Sequence, residues 1–360
     1  MVKVLNDYED FLLWLAGRLD RARGYVLSLT MRFGLARTIY GTRAWRLGSV
    51  YILSSLVSLP LALKFPALLL IAGPLIFGYA HLLSSYRFSR QSESRPLFLG
   101  FTDVQTLICI TVAGVGSRLL LDYFGYAPKL PFGFWEIAFV AMSVGALGYI
   151  SQIASVARLT LTFAANGVLL YCAWQEPILF LGGTLIVHNW IAFVYWLVAA
   201  QGGREKIMCF ACASVFAALH ALTFFGFLDV WMPEEALRGT MPATLRATGW
   251  YLASWSPDPL VWYRLIVIYT FGLSTHYFVW LKAIPESGMA HEYPNTFRLS
   301  LEKLRVDAGN RALIFTLLVA FVTFGVYAVS TVWGARVYFA AAAMHGWFEL
   351  SFLLLRTRRA

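Results

Sequence analysis

Charge is scarce in this chain. Only 13% of its residues are Asp, Glu, Lys or Arg, against roughly a quarter in an ordinary soluble domain. So few ionisable groups cannot clothe the water-facing surface of a 360-residue protein, which argues against a soluble enzyme. Cysteine is rarer still, with four in the chain. Cys109, Cys172, Cys209 and Cys212 all fall in apolar stretches, which excludes a disulfide scaffold. Cys209 and Cys212 have CxxC spacing, but inside the helical run MCFACASVFAALHAL they read as small packing residues. The chain also lacks a Walker A sequence, a dinucleotide glycine fingerprint, HExxH and an esterase nucleophile elbow. GTRAWRLG lacks phosphate-binding spacing, and GVGSRL is interrupted and sits in an apolar segment. ATP-driven transport and soluble-type cofactor catalysis therefore have no support. The paired HxxxH and HxxHH boxes of membrane desaturases are missing too.

What the sequence has instead is apolar length. Hydrophobic residues make up 59% of the chain, in long runs that recur from residue 48 to the C-terminus. We expect an all-α, polytopic integral membrane helical bundle with about ten transmembrane segments: 48–63, 66–85, 98–118, 132–153, 158–174, 177–200, 207–228, 259–281, 312–331 and 334–355. A span needs roughly 17–25 residues, so 48–63 and 158–174 are short, and Pro60 and Pro66 crowd the first hairpin.

Basic residues orient this map. Lys3, Arg18, Arg21, Arg23, Arg32, Arg37, Arg43 and Arg46 belong on the cytoplasmic side by the positive-inside rule. Ten alternating crossings then place Arg87, Arg90, Arg95, Arg204 and Lys206 inside as well. Lys282, Arg298, Lys303, Arg305, Arg311 and the terminal RTRR follow them. Loop 229–258, with no basic excess, falls outside. The expected organisation is a cytoplasmic region 1–47, a transmembrane domain 48–355 with extracytoplasmic loop 229–258 and cytoplasmic loop 282–311, and a basic tail 356–360. Both termini are cytoplasmic, in the cell inner or plasma membrane.

Acidic and basic residues interrupt the apolar run 11–19, unlike a signal peptide. The stretch FLLWLAGRLDRARGYVLSLTMRFGLARTIY mixes aromatics with regularly placed arginines. It suits one or two helices at the membrane interface, or a soluble cap over the bundle. A net charge of +10 spread beside the spans favours lipid partners and no nucleic acid. Within the spans, Arg118 and Asp122 are spaced to pair, Glu136 begins the next segment at the same surface, and Arg264 is placed to snorkel.

Ionisable groups are costly in hydrocarbon, so those inside spans point to a site. His188 lies within FLGGTLIVHNWIAFVYWLVAA, His276 within VWYRLIVIYTFGLSTHYFVW, His345 within VYFAAAAMHGWFELSFLLL and His81 within LIFGYAHLLSSYRF. On the ten-span topology all four reach the cytoplasmic half of the bundle. Glu349 follows His345 by four residues, on the same helical face. Asp103 has comparable depth. Imidazole nitrogen with carboxylate oxygen suits iron, manganese or zinc. The candidate ligands are therefore His81, His188, His276, His345, Glu349 and Asp103, each with the alternative of a hydrogen-bonded packing residue. Glu349 has a second role open to it as a proton relay. His220 joins Glu349 as a candidate catalytic residue: it lies in the far half of its segment and suits a substrate cavity or, with helix tilt, the metal itself, while His291 belongs to a polar loop. Asn189, Thr275 and Tyr86 are available as outer hydrogen-bond partners, and Arg87 as a positive-inside anchor.

The segments GYAHLLSSYRF, IVHNW, STHYFVW and MHGWFEL together resemble the arrangement in polytopic, histidine-cluster non-haem iron oxygenases such as the Brp/Blh-type membrane β-carotene dioxygenases. The likeness covers the general plan of residues 66–355. It implies a multispan helical protein with histidine-bound iron that uses dioxygen on a hydrophobic polyene. The expected function is thus a membrane metal-dependent oxidoreductase with non-haem iron, acting on a lipid-soluble substrate with dioxygen. Two other functions stay open: a transporter of a metal ion or amphiphilic solute, and a zinc-dependent membrane hydrolase or lipid-group transferase.

Overall fold

A computed structural model describes residues 2–89, 103–124, 134–151, 156–240, 245, 258–287, 289 and 294–355. Among these there are helices and no strand. The helices are α1 (Val2–Thr30), α2 (Gly34–Gly41), α3 (Arg43–Lys64), α4 (Pro66–Gly73), α5 (Tyr79–Ser89), α6 (Asp103–Tyr123) and α7 (Phe134–Ser151). They continue with α8 (Val156–Gln175), α9 (Pro177–Ala199), α10 (Gly203–Phe224), α11 (Pro259–Phe278), α12 (Phe297–Ala308), α13 (Asn310–Val329) and α14 (Thr331–Leu355).

Among the described residues, four helical stretches are long and apolar enough to cross a membrane: Arg43–Lys64, Pro66–Ser85, Gly182–Ala199 and Gly203–Phe224. Shorter apolar stretches are Ile108–Leu121, Phe134–Ser143 and Leu313–Val329. The first span begins at Arg43, giving 22 residues, so the segment read as 48–63 is not short. Pro60 lies inside it and Pro66 starts the next helix, where a missing N–H is harmless. Segment 207–228 ends early, at Phe224, where a turn through Gly226 (φ 82°) breaks the helix. Many large apolar side chains point outward, among them Leu53 and Leu56 on α3 and Phe321 and Phe324 on α13. Such faces are a liability in water and are compatible with a membrane setting.

Two helices organise the interior. Helix α11 is apolar round its whole circumference, as buried helices are, and packs against α3, α4, α9 and α10. Its core includes Leu47, Tyr51, Trp196, Phe216, Ile266, Tyr269 and Trp280. Helix α14 packs against α5, α6, α7, α8, α9 and α13. A smaller core around Ile137, Val140, Met344 and Phe348 forms there. Helix α9 touches both central helices, so the seam between the two halves runs along it.

Each half also contains a π-helical turn: Pro74–Gly78 between α4 and α5, and Val279–Ala283 after α11. Wider turns of this kind rotate the following residues relative to an unbroken α-helix, and they recur at functional sites. Pro74 has no N–H to give to the preceding turn, which favours the first of them.

At the N-terminus, α1 docks on the start of α12. Asp20 accepts from the backbone N–H of Phe297 (2.7 Å) and Arg298 (3.1 Å), and Arg23 donates to the carbonyl of Asn295 (2.6 Å). Phe11, Trp14, Leu15, Leu19, Val26 and Leu29 of α1 stay exposed. Cys209 and Cys212 are buried free thiols in the apolar core, as their setting suggested. Arg118 lies 3.7 Å from Glu136 on the neighbouring helix, while the side chain of Asp122 is outside the described residues. Arg264 does not simply snorkel: its guanidinium pairs with Asp229 in the turn after α10.

Candidate metal centre

The polar seam is built from four elements. His81 comes from α5, His188 from α9, His276 from α11, and His345 with Glu349 from α14. One nitrogen or oxygen from each of His188, His276, His345 and Glu349 lies within 4.8 Å of all the others. The His81 ring stacks edge-on to this group, 5.0 Å from His276 and 4.8 Å from His345 between centroids. His276, His345 and Glu349 are completely buried and His81 nearly so.

Local packing explains how these side chains meet. His345 and Glu349 are one turn apart on α14, which brings Nε2 to 2.7 Å from Oε1 without the alignment of a hydrogen bond. His188 Nδ1 approaches the other carboxylate oxygen at 3.6 Å. Gly346 eases that approach, because a Cβ there would lie 3.1 Å from His188 Nδ1, a tight contact. Ser85 Oγ sits 2.9 Å from His345 Nδ1 and also donates to the Leu82 carbonyl. Ser85 was not among the residues singled out from sequence. The signal was present in its position four residues after His81, on the same face of α5. Tyr195 donates to the Glu349 backbone carbonyl at 2.7 Å, tying α9 to α14 beside the site.

The donor set suits a cation. Glu349 is a fully buried carboxylate whose ion-pair partners among the described residues are imidazoles, with no lysine or arginine beside it. Both nitrogens of His276, and Nδ1 of His81 and His188, lack hydrogen-bond partners among those residues. Ligands at about 2.1 Å from one ion stand about 3.0–3.4 Å from their neighbours and about 4.2 Å across an octahedron. The four donor atoms all lie within 4.8 Å of one another, a bound about 0.6 Å wider than the octahedral diagonal. Three imidazoles and a carboxylate, with no thiolate, fit iron, manganese or zinc.

The remaining candidates lie elsewhere. His220 is outside the four-residue group, in an aromatic setting of Trp190, Phe216 and Phe271, with Nδ1 2.8 Å from the Phe216 carbonyl oxygen. The carbonyl of its own preceding turn thus engages the ring. Asp103 is the first residue of α6, and its side chain is outside the described residues, as are His291 and the side chains of Tyr86 and Arg87. Asn189 and Thr275 are buried next to the histidines they adjoin.

No family model, curated protein or solved structure matches this chain.

Proposed function

We propose that this protein is a membrane metalloenzyme of about ten spans with both termini cytoplasmic. It would hold non-haem iron between its two helical halves and oxidise a lipid-soluble substrate with dioxygen. The observation that carries this reading is the convergence of His188, His276, His345 and Glu349 within 4.8 Å, from three helices, in an apolar interior. Iron bound there would supply the redox chemistry with dioxygen.

The chain's own residues would do the rest. Three imidazoles and Glu349 would hold the metal, and Glu349 would neutralise part of its charge. Ser85 would fix the orientation of the His345 ring through its Nδ1. His81 would close the near side of the centre. The surrounding apolar helices would keep bulk water from the site.

An apolar pocket of about 280 Å³, lined by Tyr79, Leu83, Val115, Leu119, Val319 and Ala341, supports a lipid-soluble substrate. It adjoins α5 and α14, the helices of His81 and His345. Membrane lipid and the substrate are the partners this implies.

Metal analysis of gently purified protein tests the reading. Near-stoichiometric iron, lost in each of the His188, His276 and His345 alanine variants and coupled to dioxygen uptake, is the expected result. Stoichiometric zinc would turn the reading toward hydrolysis or lipid-group transfer. A metal content unchanged by all three substitutions would remove the shared centre and favour transport or a structural role. Accessibility mapping of loops 229–258 and 282–311 tests the topology, which fails if both are reached from one side.

A further inference from the structure

The polar seam does not end at the metal ligands. Asn189 is 1% exposed, and neither Nδ2 nor Oδ1 has a hydrogen-bond partner among the described residues. Leaving a buried donor or acceptor unsatisfied costs the full desolvation of that group. Leucine, with the same number of side-chain heavy atoms, would avoid that cost in an apolar helix. An amide retained under such a penalty calls for a ligand.

The space around it is also shaped. The amide lies over Gly272 of α11, where a Cβ would sit 2.4 Å from Nδ2 and 3.1 Å from Cγ. Any side chain at 272 would displace the amide. Gly272 precedes His276 by four residues, on the same face of α11. His276 has two ring nitrogens without partners, and a single metal takes one. An unsatisfied carboxamide, a glycine that makes room for it and an imidazole with a spare nitrogen therefore occupy adjoining turns of one seam.

We propose that Asn189, Gly272 and the spare nitrogen of His276 form a binding site for a hydroxyl oxygen, one helical turn from the metal centre. Nδ2 donates to that oxygen, and Oδ1 accepts from a hydroxyl or from the imidazole N–H. The ligand is water or the hydroxyl group of a lipid-soluble alcohol. The role of His276 as a metal ligand rests on the function proposed above, and in that role Asn189 is a positioning residue for the ring. The hydroxyl site itself does not depend on metal.

Thermal unfolding of the metal-free, full-length protein in nanodiscs tests this, comparing wild type with Asn189→Leu, each with added 1-octanol and with added octane. Loss of the ligand should lower the midpoint of Asn189→Leu by about 2 °C or more. An octanol-specific rise in wild type that disappears in the variant identifies an alcohol site. A lower midpoint in Asn189→Leu that is restored in Asn189→Ser, without an octanol-specific rise, identifies bound water. An equal or higher midpoint in Asn189→Leu overturns the proposal, since it means that the amide was merely unsatisfied. Should Asn189→Leu fail to fold, Asn189→Ser, which keeps a donor and an acceptor, replaces it. Its midpoint and octanol response should match wild type, and loss of both overturns the site.

Loading with Co(II) adds a spectroscopic readout of the positioning role. A shifted visible spectrum in Asn189→Leu is expected, and an unchanged one removes the link to His276. Failure of wild type to bind Co(II) would count against the metal reading and leave the thermal comparison intact.

Discussion

At the ends of α3 and α10, Arg43 lies 3.6 Å from Glu205 and Arg46 lies 2.9 Å from Glu286, while Lys282 also pairs with Glu286. Backbone carbonyls of Ser287, Met289 and Tyr40 accept from the two arginines, and Ser287 donates to Glu205. In the seam, by contrast, Glu349 faces imidazoles, and several ring nitrogens around it have no hydrogen-bond partner among the described residues. Both clusters are buried and both hold carboxylates. The first contains its own counter-charges and most of its own hydrogen bonds, so it serves as a lock between helices and the segment after α11. The second could hold a cation, and the proposed metal would supply its missing counter-charge. Burial alone therefore does not mark a site; the balance of charge and hydrogen bonding within it does.

The largest effect expected from this contrast lies in the charged lock. Glu286→Gln should destabilise the fold by about 3–5 kcal/mol, the usual result of stranding a buried charge. The metal content of the folded fraction should not change. Chemical unfolding in detergent micelles, with metal analysis of the surviving protein, measures both.

Glu349→Gln should behave in the opposite way. Metal affinity should fall by about 100-fold or more, as loss of a ligand should exceed the 10–100-fold losses of outer-shell changes. Stability of the metal-free protein should stay equal or rise, because a buried charge has been removed. A metal-free variant that unfolds far more easily would show that Glu349 serves packing, and the contrast between the two clusters would break.

Smaller changes sharpen the comparison. Ser85→Ala removes the partner of His345 Nδ1 and should weaken metal binding by about tenfold or somewhat more, read by competition with a chelator. Gly346→Ala places a methyl group against His188 Nδ1 and should weaken binding by a similar or lesser factor. The exposed pair Arg238–Glu234 is the control: Glu234→Ala should shift stability by less than about 1 kcal/mol and leave metal content alone.

Much of the site's membership was legible in the chain. A histidine amid twenty apolar residues is anomalous on cost grounds alone, and His81, His188, His276 and His345 stood out for that reason. Glu349 followed from helical spacing. Ser85 was overlooked because serine in an apolar helix is ordinary, and it gains meaning only from the ring of His345, 260 residues away. Arg118 beside Glu136 and Arg264 with Asp229 show the same limit, since the partner that matters is set by which helices are neighbours.

Composition and periodicity by themselves settled that the chain folds into helices with apolar faces, several of them long enough to span a bilayer, and that a few ionisable residues would be buried among them. Those properties are local, because they depend on residue type and on a repeat of 3.6 along one helix. Tertiary structure alone decided that α9 lies between α11 and α14 and that two π-helical turns flank His81 and His276. It also decided that Gly346 and Gly272 leave room for His188 and Asn189. Helix order around a bundle and the rotation of each helix about its axis arise from packing between distant segments, which no local repeat records.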